Sequence, residues 1–154
     1  MTMDESERHF VEQCAGDRLA LIAASFDRLT GESLVPDGAD LWTLPLPVLA
    51  HDTQASPRFI YANRAALSQF RMGARDMIGM ESRRSAEPDL RAARQAMFDR
   101  LESANVVTGY EGIRIAADGS RFRMVDAVIW NLVDEAGQRH GQAALLRRCV
   151  PLAS

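Results

Sequence analysis

The chain has 154 residues, 47% of them hydrophobic and 25% charged, with a net charge of −3 at pH 7 and a pI near 5.6. That length buries enough surface for one core without metal or disulfide staples, and the composition excludes a disordered chain. The acidic balance argues against a general nucleic-acid binder, and because all 18 basic side chains are arginine, Schiff-base lysine chemistry and a P-loop lysine are excluded.

Asp17 is placed to cap a helix whose apolar residues Leu19, Ile22, Phe26 and Leu29 share one face, with Gly31 as its stop signal. Phe10, Val11 and Cys14 predict helical turns before it, broken at Gly16. Such a helix either packs on its own domain or pairs with a second copy. Residues 32–47 hold three prolines and one glycine and read as a connector. Val48–His51 and Phe59–Tyr61 read as short strands. Asn63 is placed to cap a helix from Arg64 to about Phe70, and Met72–Met80 is a broken helical stretch bordered by glycines. Ser85, Ala86, Glu87 and Pro88 open a further helix with a stripe of Leu90, Ala93, Met97 and Leu101.

Three strands finish the chain. Val107–Ala117 meets Arg121–Leu132 through the Asp118-Gly119 turn, and Asp134–Gly137 leads into Gln138–Arg147. Strands, helices and strands again predict an α+β fold with a five-stranded antiparallel sheet, helices on one face and an N-terminal helical segment. The expected division is a helical leader and connector over 1–47 and a main domain over 48–150. If Arg121–Leu132 is regular, Phe122, Met124, Asp126, Val128, Trp130 and Leu132 share one face, with Val125, Ala127 and Ile129 on the other. A bulge would switch these faces. Both faces are apolar, so the N-terminal helix is the expected cover for the second.

Polar residues embedded in apolar strands need partners. Tyr61, Arg114, Asp126, Asn131 and Gln142 fit that description, and with Trp130 they would line a cavity between sheet and helices. Asn63 is grouped with them at the end of its strand. The competing reading is an internal network, with Arg114 paired to Asp126 and with Asn131 and Gln142 tying backbone ends. Ser85 and Glu87 suit capping of the helix they open; alternatively, Ser82, Arg83, Arg84 and Ser85 would bind an anionic ligand there. Arg121 and Arg123 read as solvated edge residues. His9, His51 and His140 lack ligand spacing, and Cys14 and Cys149 form no CxxC or CxxCH pattern, so metal and haem-attachment signatures are missing.

The run Phe59–Leu67 (FIYANRAAL) followed by Met77-Ile78-Gly79 resembles the opening of PAS domains, and the Asp118-Gly119 hairpin falls where PAS domains have one. Closer still is a resemblance to the PAS-related MEKHLA family, carried by Ser82–Pro88, Tyr110–Ile115, Asp118–Phe122, Asp126–Asp134 and His140–Ala144. It extends from about Phe26 to Leu146. Glu81 and Arg84 stand where the family has proline and leucine, and Gly73–Asp76 lacks its tryptophan. No cysteine has the setting used by photoreactive flavin PAS domains, and the sequence leaves the identity of any cofactor open.

The resemblance implies a binding or sensory module with a small-molecule ligand. Alternatives are a homodimerisation module using the N-terminal helix or an exposed sheet face, and an enzyme using Asp126, Tyr61 or Glu87 as acid or base. The polar, acidic start and the lack of a long apolar run lead us to expect a cytoplasmic protein without nucleic-acid or membrane partners.

Overall fold

The computed structural model describes residues 2–86 and 91–153. Two helices, α1 (Met3–Ala15) and α2 (Arg18–Thr30), open the chain. Thr2 caps α1 through its hydroxyl, which accepts from the Glu5 N–H at 3.1 Å. Gly16, at φ 57°, lets the chain turn out of α1. The turn is so tight that Asp17 is itself helical (φ −63°, ψ −21°) and makes no side-chain cap bond, contrary to the sequence expectation. Gly31 ends α2 in the left-handed region, as its position predicts.

The connector is irregular but packed. Trp42 is buried, with its indole N–H directed at the Asp4 carboxylate of α1 (3.2 and 3.3 Å). Next come strands β1 (Val48–His51) and β2 (Phe59–Ala62), helix α3 (Arg64–Phe70) and the short helix α4 (Ala74–Met77). Asn63 joins these parts. Its Oδ1 accepts from the N–H groups of Val48 and Ala66, both at 3.0 Å, while its Nδ2 donates to the Leu41 and Leu46 carbonyls at 3.1 and 3.0 Å. One buried amide therefore caps α3, starts β1 and anchors the connector. Glu7 of α1 similarly accepts from the Ala74 N–H at 2.7 Å, satisfying a free donor at the start of α4.

A 3-10 turn over Ser82–Ser85 precedes α5 (Arg91–Ala104). Ser85 is the last residue of that turn, and its hydroxyl donates back to the Ser82 carbonyl at 2.7 Å. Glu87, Pro88 and Leu90 lie outside the described residues. On α5 the buried stripe is Met97 and Leu101, with Arg94 and Phe98 half-buried beside it. Ala93 is exposed, because the helix meets the sheet about one residue further round than the apolar pattern suggested.

Strands β3 (Val106–Ile115), β4 (Arg121–Val133) and β5 (Arg139–Leu145) form the expected meander, and a short β6 (Arg148–Pro151) follows. The antiparallel sheet runs β2-β1-β5-β4-β3, and β6 pairs with β4. Helix α2 covers one face: the Trp130 indole N–H donates to the Ile22 carbonyl at 3.0 Å, and its ring meets Phe26 edge-on at 4.9 Å. The Ser25 hydroxyl adds a hydrogen bond from the Val133 N–H at 2.8 Å. Helices α3 and α5 cover the other face, where Phe70 meets Phe122 edge-on at 5.3 Å. Asn131 closes the C-terminal end of α5, its Nδ2 donating to the Leu101 carbonyl and its N–H to the Asn105 carbonyl, both at 2.9 Å.

Strand β4 is not regular. Asp126 has φ 56°, and the pairing with β3 steps from Gly112↔Met124 to Tyr110↔Ala127, so β4 carries an extra residue. A second irregularity on β3, where Gly109 has φ 64°, restores the register by Val107↔Ile129. The bulge reverses the alternation along β4. Phe122 and Met124 face α3 and α5 together with Ile129 and Asn131, while Trp130 faces α2. The single face expected for Phe122 through Leu132 is therefore split at Asp126.

Two substitutions test these constraints by urea unfolding at pH 7. Asn63→Ala strands two buried N–H groups and two carbonyls, and should cost about 3 kcal/mol or more. A Cβ at Gly141 would lie 2.4 Å from the His51 carbonyl oxygen, so Gly141→Ala should destabilise by about 1–3 kcal/mol.

Candidate functional site

Between the helical layer and the sheet lies a narrow cavity of about 50 Å³ that opens to solvent. Its walls are largely apolar. Leu49 of β1, Phe59 of β2, Phe70 of α3, Met97 and Phe98 of α5, and Met124 and Ile129 of β4 contribute, with Leu146 beyond β5. Five polar side chains line the same space: His51, Ser85, Arg94, Arg114 and Gln142.

Alternation on β3 places Tyr110, Gly112 and Arg114 on one side. Gly112 makes room for the guanidinium, since a Cβ there would lie 3.2 Å from Arg114 Nη1. Arg114 is only 8% exposed, and Nη1 donates to the Ile113 carbonyl at 3.0 Å. Burial pulls its pKa below the ordinary guanidinium value, partly countered by the neighbouring Tyr110. Among the described residues no carboxylate forms an ion pair with it.

His51, Gln142 and Asn131 form a row across three strands, paired as His51↔Gln142 and Asn131↔Gln142. His51 Nδ1 lies 2.9 Å from the Asp52 carbonyl, and its ring meets Phe98 edge-on at 5.7 Å. Burial lowers its pKa to about 4, with the Arg94 charge adding to the effect, so the imidazole is neutral at pH 7. The neutral ring then donates from Nδ1 and accepts at Nε2. Gln142 Oε1 and Asn131 Oδ1 are buried and accept no hydrogen bond. Arg94 donates to the Ser82 hydroxyl at 2.9 Å and its guanidinium lies over the Phe98 ring at 5.0 Å. His51, Phe98 and Gln142 also line a surface groove beside the β1–β2 loop, so they form the wall between cavity and solvent.

Of the nine residues singled out from sequence, Ser85, Arg114 and Gln142 line the cavity. Trp130 faces α2 with its N–H satisfied, and Asn63 is consumed by its structural hydrogen bonds. Asn131 lies at the adjoining groove, tied to the end of α5. Tyr61 is buried away from the cavity near Glu12 and Arg8 of α1; its hydroxyl has no partner, and burial raises its pKa above the ordinary phenol value. Arg84 is exposed. Asp126 is exposed on the bulge and forms no pair with Arg114, because the extra residue turns it out of the strand's inner face. His51, Arg94 and Phe98 were missed. His51 carried the same signal as the others, a polar residue in an apolar strand. Arg94 and Phe98 carry helical spacing offset by one from Ala93 and Met97.

Among the described residues no group of three or more His, Cys, Asp and Glu is placed to hold a metal, and no helix is long and apolar enough to cross a membrane. Neither cysteine lines the cavity; both are free thiols, and burial pushes that of Cys149 up to about 11.

Solved structures share this architecture at low sequence identity. The light-state dimer of the fungal blue-light photoreceptor Vivid aligns with a TM-score of 0.60 at 17% identity, over 84% of this chain and 93% of that one. A PAS domain from Colwellia psychrerythraea aligns at 0.57 and 13% identity, over 72% and 89%. A light-oxygen-voltage domain studied with a flavin analogue aligns at 0.55 and 15%, over 71% and 78%. The fold is therefore an α+β PAS-like domain. Within that class, the sequence model of the MEKHLA domain matches residues 17–149, and the chain belongs to the MEKHLA domain family. No curated protein matches it in sequence.

His51 makes stability depend on pH. A free imidazole titrates near 6.5 and the folded one at about 4, so unfolding takes up a proton between these values. Its contribution is complete above pH 6.5 and lost as pH falls to about 4, a change on the order of 3 kcal/mol. Urea unfolding across that window should show the loss, and His51→Gln should flatten the slope.

Proposed function

We propose that this MEKHLA chain is a sensory module whose helix-side cavity binds a small molecule. One observation carries the reading: an otherwise apolar cavity holds a buried guanidinium without a carboxylate and a glutamine oxygen without a donor. A purely structural network tends to satisfy its members, whereas a ligand site keeps capacity open for the ligand. In this reading residues 48–150 carry the sensing core, and residues 1–47 form the helical leader and connector covering its outer face. The cavity is narrow, and access runs through the His51, Phe98 and Gln142 wall. Side-chain rotation of Phe98 would widen it.

The dimerisation reading has less support. The inward face of α1 is already used within the chain, burying Val11 and Ala15 and bonding Trp42 and α4 through Asp4 and Glu7. The enzyme reading is also weaker, since Tyr61 is held protonated away from the cavity and Asp126 is exposed on the outside. Its remaining candidate, Glu87, lies outside the described residues.

Native mass spectrometry of the purified protein, compared with its denatured mass, tests the proposal. The expected result is a reproducible added mass, or uptake from a small-molecule panel, that Ala144→Phe abolishes while keeping a cooperative thermal transition. Ala144 lines the cavity from β5, so the larger ring fills it. A bare protein that takes up no panel member would sink the reading.

A further inference from the structure

We infer that the cavity selects a small apolar monocarboxylate, its carboxylate held by Arg114 and its apolar body lying against Met97, Ile129 and Ala144. The inference rests on the ligand-binding reading above and names the ligand class.

Charge selects the ligand's polar end. Arg114 is only 8% exposed, sits beside the cavity and forms no ion pair with a carboxylate among the described residues. Its guanidinium stays charged at neutral pH, so the site carries the desolvation cost of a cation without the compensation of an anion. An anion that enters removes that deficit, and a planar carboxylate matches the guanidinium fork with two parallel hydrogen bonds. Gly112 shapes the same feature from behind, leaving the space into which the guanidinium fits.

Valence and size follow from the walls. Arg94 at the rim is already engaged with Ser82 and stacked on Phe98, so Arg114 supplies the cation facing the ligand. A monoanion neutralises it, whereas a dianionic phosphate would bring excess charge against Phe70, Met97 and Ile129. The space inside is only about 50 Å³, which limits the ligand to a single ring or a short chain admitted by rotation of Phe98 and excludes a nucleotide. Gln142 Oε1, buried with no donor, favours a ligand that also carries an N–H or O–H group at the opposite end.

Titration of isotope-labelled protein at pH 7 with phenylacetate, hexanoate and the neutral phenylacetamide, followed by NMR, tests this. The expected result is saturable shifts at Met97, Ile129 and Ala144 for at least one acid, with the amide bound roughly tenfold more weakly or worse. Arg114→Gln should bring the acid down to the level of the amide. If that variant does not fold, the comparison of acid with amide on the native protein decides. Amide binding as tight as acid overturns the carboxylate assignment and leaves the cavity reading standing. So does a neutral co-purified molecule with no response to either acid. No binding of acid or amide, on a protein that is also bare by mass spectrometry and takes up no panel member, overturns both.

Discussion

Asp126 holds a left-handed backbone conformation within a 13-residue strand, and the surroundings of the side chains on β4 follow from it. A non-glycine residue tolerates positive φ at some cost, and aspartate is among the types that do so most readily. What the strand gains is a change of face. Before the bulge, Phe122 and Met124 point at the helices; beyond it, Ile129 and Asn131 do. It also gains a change of partner, because Phe122–Val125 pair with β6 while Val128–Val133 pair with β5. One inserted residue thus lets a single strand serve both ends of the sheet and present Trp130 to α2.

The buried polar groups divide into two sets. Asn63 and Trp130 use their polar atoms on backbone groups and hold the layers together. Gln142 Oε1 accepts no hydrogen bond, Arg114 has no carboxylate partner among the described residues, and both line the cavity between helices and sheet. A half-satisfied buried group is costly in a low-dielectric interior, so its coincidence with a void has more functional content than the void alone. Asn131 belongs to both sets, tying α5 through its Nδ2 while its Oδ1 stays open at the groove.

Much of the architecture was legible locally. Asn63 before an apolar helical run, Gly31 after one, and Asp118-Gly119 between alternating strands each act within a few residues, and each is found in the expected place. The seven-residue helix α3 and the four-residue strand β1 begin and end where local signals put them. The site was less legible. Arg114, Ser85 and Gln142 could be picked out because polar residues in apolar surroundings demand explanation. Asp126 and Trp130 were assigned to the cavity by an alternation that the bulge breaks. Ala93 was chosen over Arg94 and Phe98 because the rotation of α5 on the sheet depends on what it packs against.

By itself, then, the sequence determined the order of elements, the antiparallel sheet and the family, because caps, turns and periodicity are short-range properties of the chain. Which polar residues face the cavity was decided by tertiary structure alone. That choice depends on one extra residue in β4 and on the rotation of one helix, and both are set by contacts between segments far apart in sequence.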